Sequence, residues 1–287
     1  MATINHELDT RGSLAQDVHQ RYVYIDFTKH MPFARATSTP FGNPTGTAGD
    51  VNTLQLGNHQ LQYHVLGTQT ILGPKRTDTG LDISQDATDD DGVEYTTGCE
   101  DPANTVISDT VGSSRGTFKV GTDPVFGFAL KFKITDVSGT DDCAVGFRKC
   151  EAYQAAIDNY DEAAFLNVIL GDINIESILN NAATVTTDTT ANWADAETHT
   201  LAVYVDSDGS LSQDGTVGKV YYNIDGAKPS TTPTTRMKFD SGELVQPFFF
   251  FLQTTTSPTA LELIEWESGL FPLVKLGSQY QLPTTLG

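Results

Sequence analysis

The chain has 287 residues, of which 38% are hydrophobic and 19% are charged, and its formal net charge at pH 7 is −20. This apolar content excludes a disordered chain, and no run approaches the roughly 20 apolar residues of a membrane span. The negative charge repels phosphate backbones and so argues against a nucleic-acid partner. Three cysteines without CxxC spacing and a start unlike a secretory signal favour assembly in a reducing cytoplasm.

The first 72 residues differ from the remainder in charge and in texture. They carry four basic and five acidic side chains, a net of −1, which leaves −19 for the rest of the chain. Arg21–Phe27 and Leu61–Gly67 alternate as strands do, whereas three prolines within 32–44 exclude a helix or a central strand there. Because the segment is thin in core-forming residues, we predict an extended arm lying along another surface; a flexible tail is the alternative.

This arm contains the residues that we expect to touch a partner. A strand such as Arg21–Phe27 adds readily to an exposed sheet edge of another protein. The expected contact residues are the aromatic and apolar side chains Tyr22, Val23, Tyr24, Ile25, Phe27, Phe33 and Phe41.

After Gly73 the chain alternates between short apolar runs and turns. The run 126–137 predicts a strand, and 143–149 predicts the next one. Glu151–Phe165 is the only plausible helix, although a loop with one turn fits it equally, and Phe165–Leu179 predicts two short strands. The inward row of the first strand is predicted to be Phe126, Phe128, Leu130, Phe132 and Ile134.

Three further strand patterns follow toward the C-terminus. Thr198–Gly226 predicts a hairpin, and Glu243–Thr255 is apolar on both faces, as a strand between two layers is. Ala260–Gly269 predicts the last strand, with Ile264 and Trp266 on one face. The hairpin is predicted to face inward with the rows Leu201, Val203, Val205 and Val220, Tyr222, Ile224.

Many short strands separated by turn residues, with almost no helix, define the expected fold class. We predict an all-β, two-sheet antiparallel β-sandwich or jelly roll with an extended N-terminal arm. The expected parts are the arm at 1–72, the jelly roll at 73–272 and a C-terminal tail at 273–287.

The order FGFALKFKITDV, HTLAVYVDSDG…GKVYYNIDG, PFFFFLQ and LELIEWESG resembles the concanavalin A-like lectin/glucanase jelly roll, also called laminin G-like, over about residues 75–272. The pairing VYVDSDG…YYNIDG followed by ELVQPFFFFL is similar to versions of this domain in tailed-phage virion proteins. The resemblance implies three roles that the residues can be tested against: glycan hydrolysis, sugar binding and a structural role in a virus particle.

Glucanases of this fold place carboxylates on one strand face, and GDINIES offers the nearest match. Asp172, Asn174 and Glu176 alternate on one face, but Asp stands where the pattern has its first Glu and Asn where it has its middle Asp. A nucleophile shortened by about 1.5 Å disrupts a geometry in which an ångström costs a hundredfold. We therefore expect no enzyme activity and interpret the row as solvent-facing, with Asp172 and Glu176 as the alternative catalytic pair.

A calcium-dependent lectin site is the second possibility, at the loop of the predicted hairpin. Asp206, Asp208, Ser210 and Asp214 offer oxygens of the kind that calcium binds. Aspartate and glycine between two strands are also ordinary turn residues, and we favour a hairpin turn without metal or cofactor. The acidic run Asp86–Gly92 has the same ambiguity.

A metal-free sugar site needs an exposed aromatic side chain. Trp193, in a polar loop, is the candidate for sugar contact, and a loop tryptophan that plugs one end of the sandwich is the favoured interpretation. Trp266, in the last strand, is predicted to be core.

The function that these patterns favour is structural. We expect a tailed-phage head decoration or cement protein on the capsid exterior, assembled in the host cytoplasm. Its arm would bind the major capsid protein or sister copies in a dimer or trimer, and low Lys and Arg content suits a site outside the shell. The first alternative is a lectin-like module that binds surface glycans, and the second is a glycan hydrolase.

Overall fold

The computed structural model describes residues 22–29, 51–56, 59–67, 75–83, 91–97, 117–212, 214–254 and 261–276, which form two antiparallel sheets around a shared core. This confirms the predicted all-β sandwich. The seven-strand sheet consists of β1 (Val23–Asp26), β4 (Lys75–Arg76), β5 (Leu81–Asp82), β8 (Phe126–Ile134), β13 (Thr198–Asp206), β14 (Lys219–Ile224) and β16 (Leu261–Leu270). The nine-strand sheet consists of β2 (Val51–Leu56), β3 (His59–Leu66), β6 (Gly92–Thr96), β7 (Phe118–Lys119), β9 (Thr140–Lys149), β10 (Ala163–Ile169), β11 (Asp172–Ile178), β12 (Val185–Asn192) and β15 (Leu244–Gln253).

Strand order follows from the pairing. The seven-strand sheet runs β14-β13-β8-β16-β5-β4, with β1 also paired to β16. The nine-strand sheet runs β12-β11-β10-β9-β15-β6-β3-β2, with β7 also paired to β15. Helical structure in the described residues is limited to two 3-10 turns, Val137–Gly139 and Ile157–Asn159. Of the two alternatives left open for Glu151–Phe165, the structure has the loop with one turn, which ends where β10 begins at Ala163. Within the described part of the chain, no helix is long and apolar enough to cross a membrane.

The core is built by the alternating rows that the sequence displays. The inward row of β8 is fully buried from Phe126 to Ile134. Across the hairpin, Leu201 pairs with Ile224 and Val205 pairs with Val220, so the two rows that were predicted to face inward lie side by side on the core face. β15 is buried on both faces because it lies between β9 and β6.

The last strand departs from strict alternation. A register shift between Leu263 and Glu265 interrupts its pairing with β8. Leu261, Leu263 and Trp266 consequently reach the core, whereas Ile264 is only half-buried. The predicted common face for Ile264 and Trp266 is therefore corrected by a bulge, which inserts one residue into the alternation.

The described parts of the predicted arm are strands of the sandwich itself. β1 pairs with β16, and the β2–β3 hairpin pairs with β6. Val23, Ile25 and Phe27 are 3%, 0% and 0% exposed within the main core. They are core residues of this chain rather than residues exposed to a partner, which corrects the prediction for these three residues. Tyr22 and Tyr24 are half-buried, and Phe33 and Phe41 lie outside the described residues.

The two ends of the described chain meet at Glu267, a fully buried carboxylate of β16. The hydroxyl of Tyr22 donates to its Oε1 at 2.7 Å. The backbone N–H groups of Val274, Lys275 and Leu276 donate to the same carboxylate at 2.7, 2.8 and 2.5 Å. Three successive amides aimed at one anion form a concave binding site for it. The start of β1 and the segment after β16 are thereby fastened to the same point.

A second apolar cluster lies on the other side of the nine-strand sheet. We call this side, turned away from the seven-strand sheet, the outer face. The residues 151–162, here named the cover segment, pack across part of it. The cluster joins Ile157 and Tyr160 of the cover segment to Phe165, Phe248 and other strand residues. Part of the outer face is therefore closed by the chain itself.

Candidate functional site

The outer face carries polar side chains where it is not covered. In the registered strands, Phe165 of β10 stands beside Glu176 of β11, and Asn167 stands beside Asn174. On β11, Ile173 and Ile175 face the main core. Because side chains alternate along a strand, Asn174 and Glu176 must point to the outer face. The predicted shared face of these two residues is thus present.

The cluster Asp142–Asn167–Glu176 is the best-defined polar group on this face. Asn167 Nδ2 donates to Asp142 Oδ1 at 2.6 Å and to Glu176 Oε2 at 2.8 Å. Because both hydrogen bonds start from one nitrogen, these two carboxylate oxygens are at most 5.4 Å apart. Glu176 Oε1 also accepts the hydroxyl of Thr186 at 2.9 Å. One fully buried amide thus holds two carboxylates in fixed positions.

A break in the β9–β10 ladder makes room for this amide. The pairing of the two strands ends at Ala144 and Asn167. Beyond that point, Asn167 Oδ1 accepts the backbone N–H of Cys143 at 2.8 Å, which replaces a ladder hydrogen bond by a side-chain one. Because the two strands separate here, the side chain of Asn167 can bond to Cys143 N–H and to both carboxylates of the cluster.

Burial and neighbouring negative charges act to raise the pKa values of both carboxyl groups of the cluster. Burial raises the pKa of Asp142 to about 6; Asn167 opposes the rise, and the charges of Glu176, Asp141 and Asp158 add to it. Burial also raises the pKa of Glu176, against the hydrogen bonds from Asn167 and Thr186. The charges that raise the pKa of these two carboxyls are the negative charges of neighbouring carboxylates. The site is suited to ligands that donate hydrogen bonds or carry positive charge.

The middle of the outer face is occupied by a buried ion pair. Arg148 Nε donates to Glu94 Oε1 at 2.6 Å, and both side chains are fully buried. The hydroxyl of Tyr160 donates to the other oxygen of Glu94. Arg148 lies 4.4 Å from the ring centroid of Tyr160 and 5.3 Å from that of Tyr153, which stacks on His64 at 4.1 Å. These contacts fasten the cover segment over the middle of the face.

The structure does not bring the predicted catalytic pair together. Asp172 and Glu176 are separated by four residues of one extended strand, or about 13 Å. Asp172 is exposed, whereas Glu176 is 6% exposed. The carboxylate that approaches Glu176 is Asp142, which the sequence did not mark because a third strand, β10, lies between them.

The hairpin loop uses its acidic residues for turn hydrogen bonds. The buried carboxylate of Asp206 accepts the N–H groups of Leu211 and Ser212, at 3.1 and 2.8 Å. Asp208 accepts Ser210 N–H at 3.0 Å. Asp214 accepts Thr216 N–H and binds Lys219 Nζ. Among the described residues, no group of three or more Asp, Glu, His or Cys side chains is arranged to hold a metal ion. Most of Asp86–Gly92 lies outside the described residues.

The buried side chain of Trp193 closes one end of the sandwich. Its side chain is 2% exposed and packs on Phe132 at 4.5 Å between ring centroids. Its Nε1 donates to the carbonyl of Glu197 at 3.3 Å. A ring that is enclosed in this way has no open face for a sugar, in agreement with the favoured interpretation of this residue.

Comparison with known proteins gives similarities in fold at low sequence identity. No family model matches the chain, and no curated protein matches it. A point mutant of the carbohydrate recognition domain of Emp46p is similar with a TM-score of 0.48 and 8% identity, over 83% of this chain and 98% of that chain. The carbohydrate recognition domain of Emp47p gives 0.46 and 11%, over 83% and 96%.

A third similar structure is the legume lectin-like domain from Entamoeba histolytica, with a TM-score of 0.46 and 11% identity over 72% of this chain and 89% of that chain. Two of these neighbours are carbohydrate recognition domains, and the third is a legume lectin-like domain.

Proposed function

We propose that this protein binds carbohydrate at the Asp142–Asn167–Glu176 cluster. The observation that carries the proposal is the fixed pair of carboxylates on one buried amide. Sugar hydroxyls are hydrogen-bond donors, and a few well-placed polar acceptors on a rigid face give a binding site its orientation and specificity. Asp142 Oδ1 is held by Asn167, and its other oxygen accepts no hydrogen bond within the described residues.

The surroundings of the cluster suit a ligand that approaches from solvent. Asp142 and Asn174 are half-buried, and Asp158 and Thr186 are exposed. Asn167 and Glu176 lie deeper and hold the acceptors in position. The cover segment closes the middle of the face, so a ligand would occupy only the end of the sheet formed by β9 to β12.

Binding without hydrolysis is part of the proposal. A retaining hydrolase needs a carboxylate nucleophile with an oxygen available to the sugar. Both oxygens of Glu176 already accept hydrogen bonds, from Asn167 and from Thr186, and the residue is 6% exposed. We therefore assign Glu176 the role of positioning Asn167 and Asp142, and we assign Asp142 the role of accepting a sugar hydroxyl.

The test is glycan binding by the intact chain and by two matched variants. A glycan array identifies a ligand, and titration calorimetry measures its affinity. Asp142→Asn is expected to weaken binding about tenfold or more, because a charged acceptor is lost. Asp208→Asn removes the same charge from an exposed turn and is expected to leave affinity unchanged. Absence of any bound glycan, or equal losses in both variants, would overturn the proposal, and release of reducing sugar would overturn the non-hydrolytic part.

A structural role on the exterior of a virus capsid is the second candidate. It is supported by the net charge of −20 and by the meeting of Tyr22 and Leu276 at Glu267. The chain therefore enters and leaves the described sandwich at one point, and two segments that start together are suited to attachment to one partner. In this form of the hypothesis the attachment segment is shorter than the predicted arm.

Removal of residues 1–21 tests this second candidate. If these residues attach the protein, the shortened chain is expected to keep its fold and to lose association with purified capsids in a sedimentation assay. The Asp142→Asn variant, with intact ends, is expected to sediment with capsids like the unmodified chain. Association that survives the deletion would remove the attachment role of these residues.

A further inference from the structure

His199 stands between two carboxylates at the start of β13. Its Nδ1 lies 2.6 Å from Asp225 Oδ2, in the turn after β14. Its Nε2 lies 3.0 Å from Glu197 Oε2, in the segment before β13. The imidazole is 20% exposed, and each carboxylate is 50% exposed. One ring therefore links two segments on either side of the strand.

Only a charged imidazole satisfies both contacts. An ionised carboxylate accepts hydrogen bonds and donates none, and a neutral imidazole has one N–H. With one carboxylate on each ring nitrogen, both nitrogens must carry protons. The pKa of His199 is raised accordingly: burial acts to lower it, and Asp225 and Glu197 outweigh burial through hydrogen bonds and charge. The hydrogen bond from His199 lowers the pKa of Glu197.

The groups around His199 connect it to the end of the core. Trp193 meets the imidazole edge-on at 4.5 Å between ring centroids. Glu197 is tied to the same segment twice, since its carboxylate accepts Ala194 N–H at 3.0 Å and its carbonyl accepts Trp193 Nε1. Asp225 Oδ1 accepts the N–H of Thr200 at 2.8 Å. The linked unit thus holds the indole that closes one end of the sandwich.

The charged residues of the neighbouring strand β8 do not face His199, so Glu197 and Asp225 are the charges that act on its imidazole. On the neighbouring strand β8, Lys133 pairs in register with Thr198 and Lys131 with Thr200. Thr198 and Thr200, the neighbours of His199 in β13, point to the opposite side of the sheet. Their register partners, the two lysines, therefore also lie on the side away from the imidazole. Phe132, the register partner of His199, is uncharged and belongs to the core.

We propose that His199, Glu197 and Asp225 form a pH-sensitive clamp that holds Trp193 in the end of the sandwich and loosens it when His199 loses its proton. Loss of one proton leaves one of the two carboxylates without its hydrogen bond from the imidazole. Because the folded protein binds this proton more tightly than the unfolded chain, the stabilisation is fully present below the ordinary pKa of histidine. It is lost as the pH rises through the raised pKa of the folded state.

The experiment uses the intact chain labelled with ¹⁵N-tryptophan, which gives two indole N–H signals because the sequence has two tryptophans. The Trp193 signal, identified by its absence in Trp193→Phe, is expected to shift with a midpoint above about 6.5, while the Trp266 signal stays constant. His199→Gln is expected to abolish the shift. Asp225→Asn, which keeps the shape of the side chain and removes one charge, is expected to lower the midpoint.

Three results would overturn the clamp. The first is a Trp193 signal that does not change between pH 5 and pH 9 in the unmodified chain. The second is a titration that persists in His199→Gln, which would assign the change to another group. The third is an Asp225→Asn midpoint equal to that of the unmodified chain.

Discussion

Replacement of Arg148 by methionine is expected to lower the free energy of unfolding by about 3–5 kcal/mol at pH 8, because it leaves the Glu94 carboxylate buried without its cation. Both side chains are fully buried. Burial raises the pKa of Glu94, and the guanidinium acts against this rise. Without the guanidinium the carboxyl takes up a proton more readily, so the loss is expected to be smaller at pH 5. Urea unfolding at both pH values measures the effect.

Two further variants show whether the loss of stability is caused by the unpaired charge of Glu94. Glu94→Gln combined with Arg148→Met removes both charges and is expected to recover most of the stability. Lys219→Met breaks the ion pair with Asp214, whose side chains are 24% and 61% exposed. That loss is expected to be much smaller, because the pair is exposed to solvent. Equal losses in Lys219→Met and Arg148→Met would contradict a special role for the buried pair.

The parts of the fold that the sequence predicts are those with a strict period of two. The hairpin register from Leu201 opposite Ile224 to Val205 opposite Val220 follows from alternation, because a slip of one residue would turn each row to the wrong face. β15 was recognisable because both of its faces are apolar. β12, rich in threonine and mostly exposed, gave no such signal because an edge strand buries little.

The arm prediction shows how burial can be underestimated from composition. In β1 only alternate residues, Val23 and Ile25, enter the core, and Phe27 follows. An edge strand of this kind contributes one apolar row to the core, so only every second residue in its sequence needs to be apolar. Its partner strand β16 lies more than 230 residues away along the chain. Local pattern therefore indicates a strand here but contains no information about which sheet receives it.

The candidate site could be predicted only in part, for the same reason. The outward direction of Glu176 follows from alternation with Ile173 and Ile175. Its relation to Asp142 depends on β10 lying between the two strands and on the ladder ending at Asn167. Sequence spacing does not contain strand order, so the proximity of the two carboxylates appears only in three dimensions.

β9 joins the two halves of the outer face. Arg148, near its end, pairs with Glu94 beneath the cover segment, and Asp142, near its start, belongs to the open cluster. The closed half contains a cation for its buried carboxylate, whereas the negative charges of Glu176, Asp141 and Asp158 act to raise the pKa of Asp142. This difference separates a carboxylate whose charge is compensated within the fold from one that is expected to serve a ligand at a cost in stability.

Replacement of Asp142 by asparagine is accordingly expected to stabilise the protein at pH 8 and to have no effect at pH 4. The folded state raises the pKa of Asp142 from 3.8 to about 6, with burial as the main cause. Stability therefore falls as the pH rises from about 4 to 6, because the folded chain binds the proton more tightly. A shift of about two units corresponds to about 3 kcal/mol, which solvent contact of the half-buried carboxylate reduces to about 1–2 kcal/mol.

Thermal and urea unfolding of the unmodified chain, Asp142→Asn and Asp208→Asn across this pH range provide the measurement. Asparagine keeps the shape of the side chain and removes the charge that Glu176, Asp141 and Asp158 oppose. Asp208→Asn controls for the change in net charge. A destabilised Asp142→Asn at pH 8 would mean that the ionised carboxylate holds the β9–β10 junction together. A gain of stability accompanied by loss of glycan binding would separate the binding role of Asp142 from any role in folding.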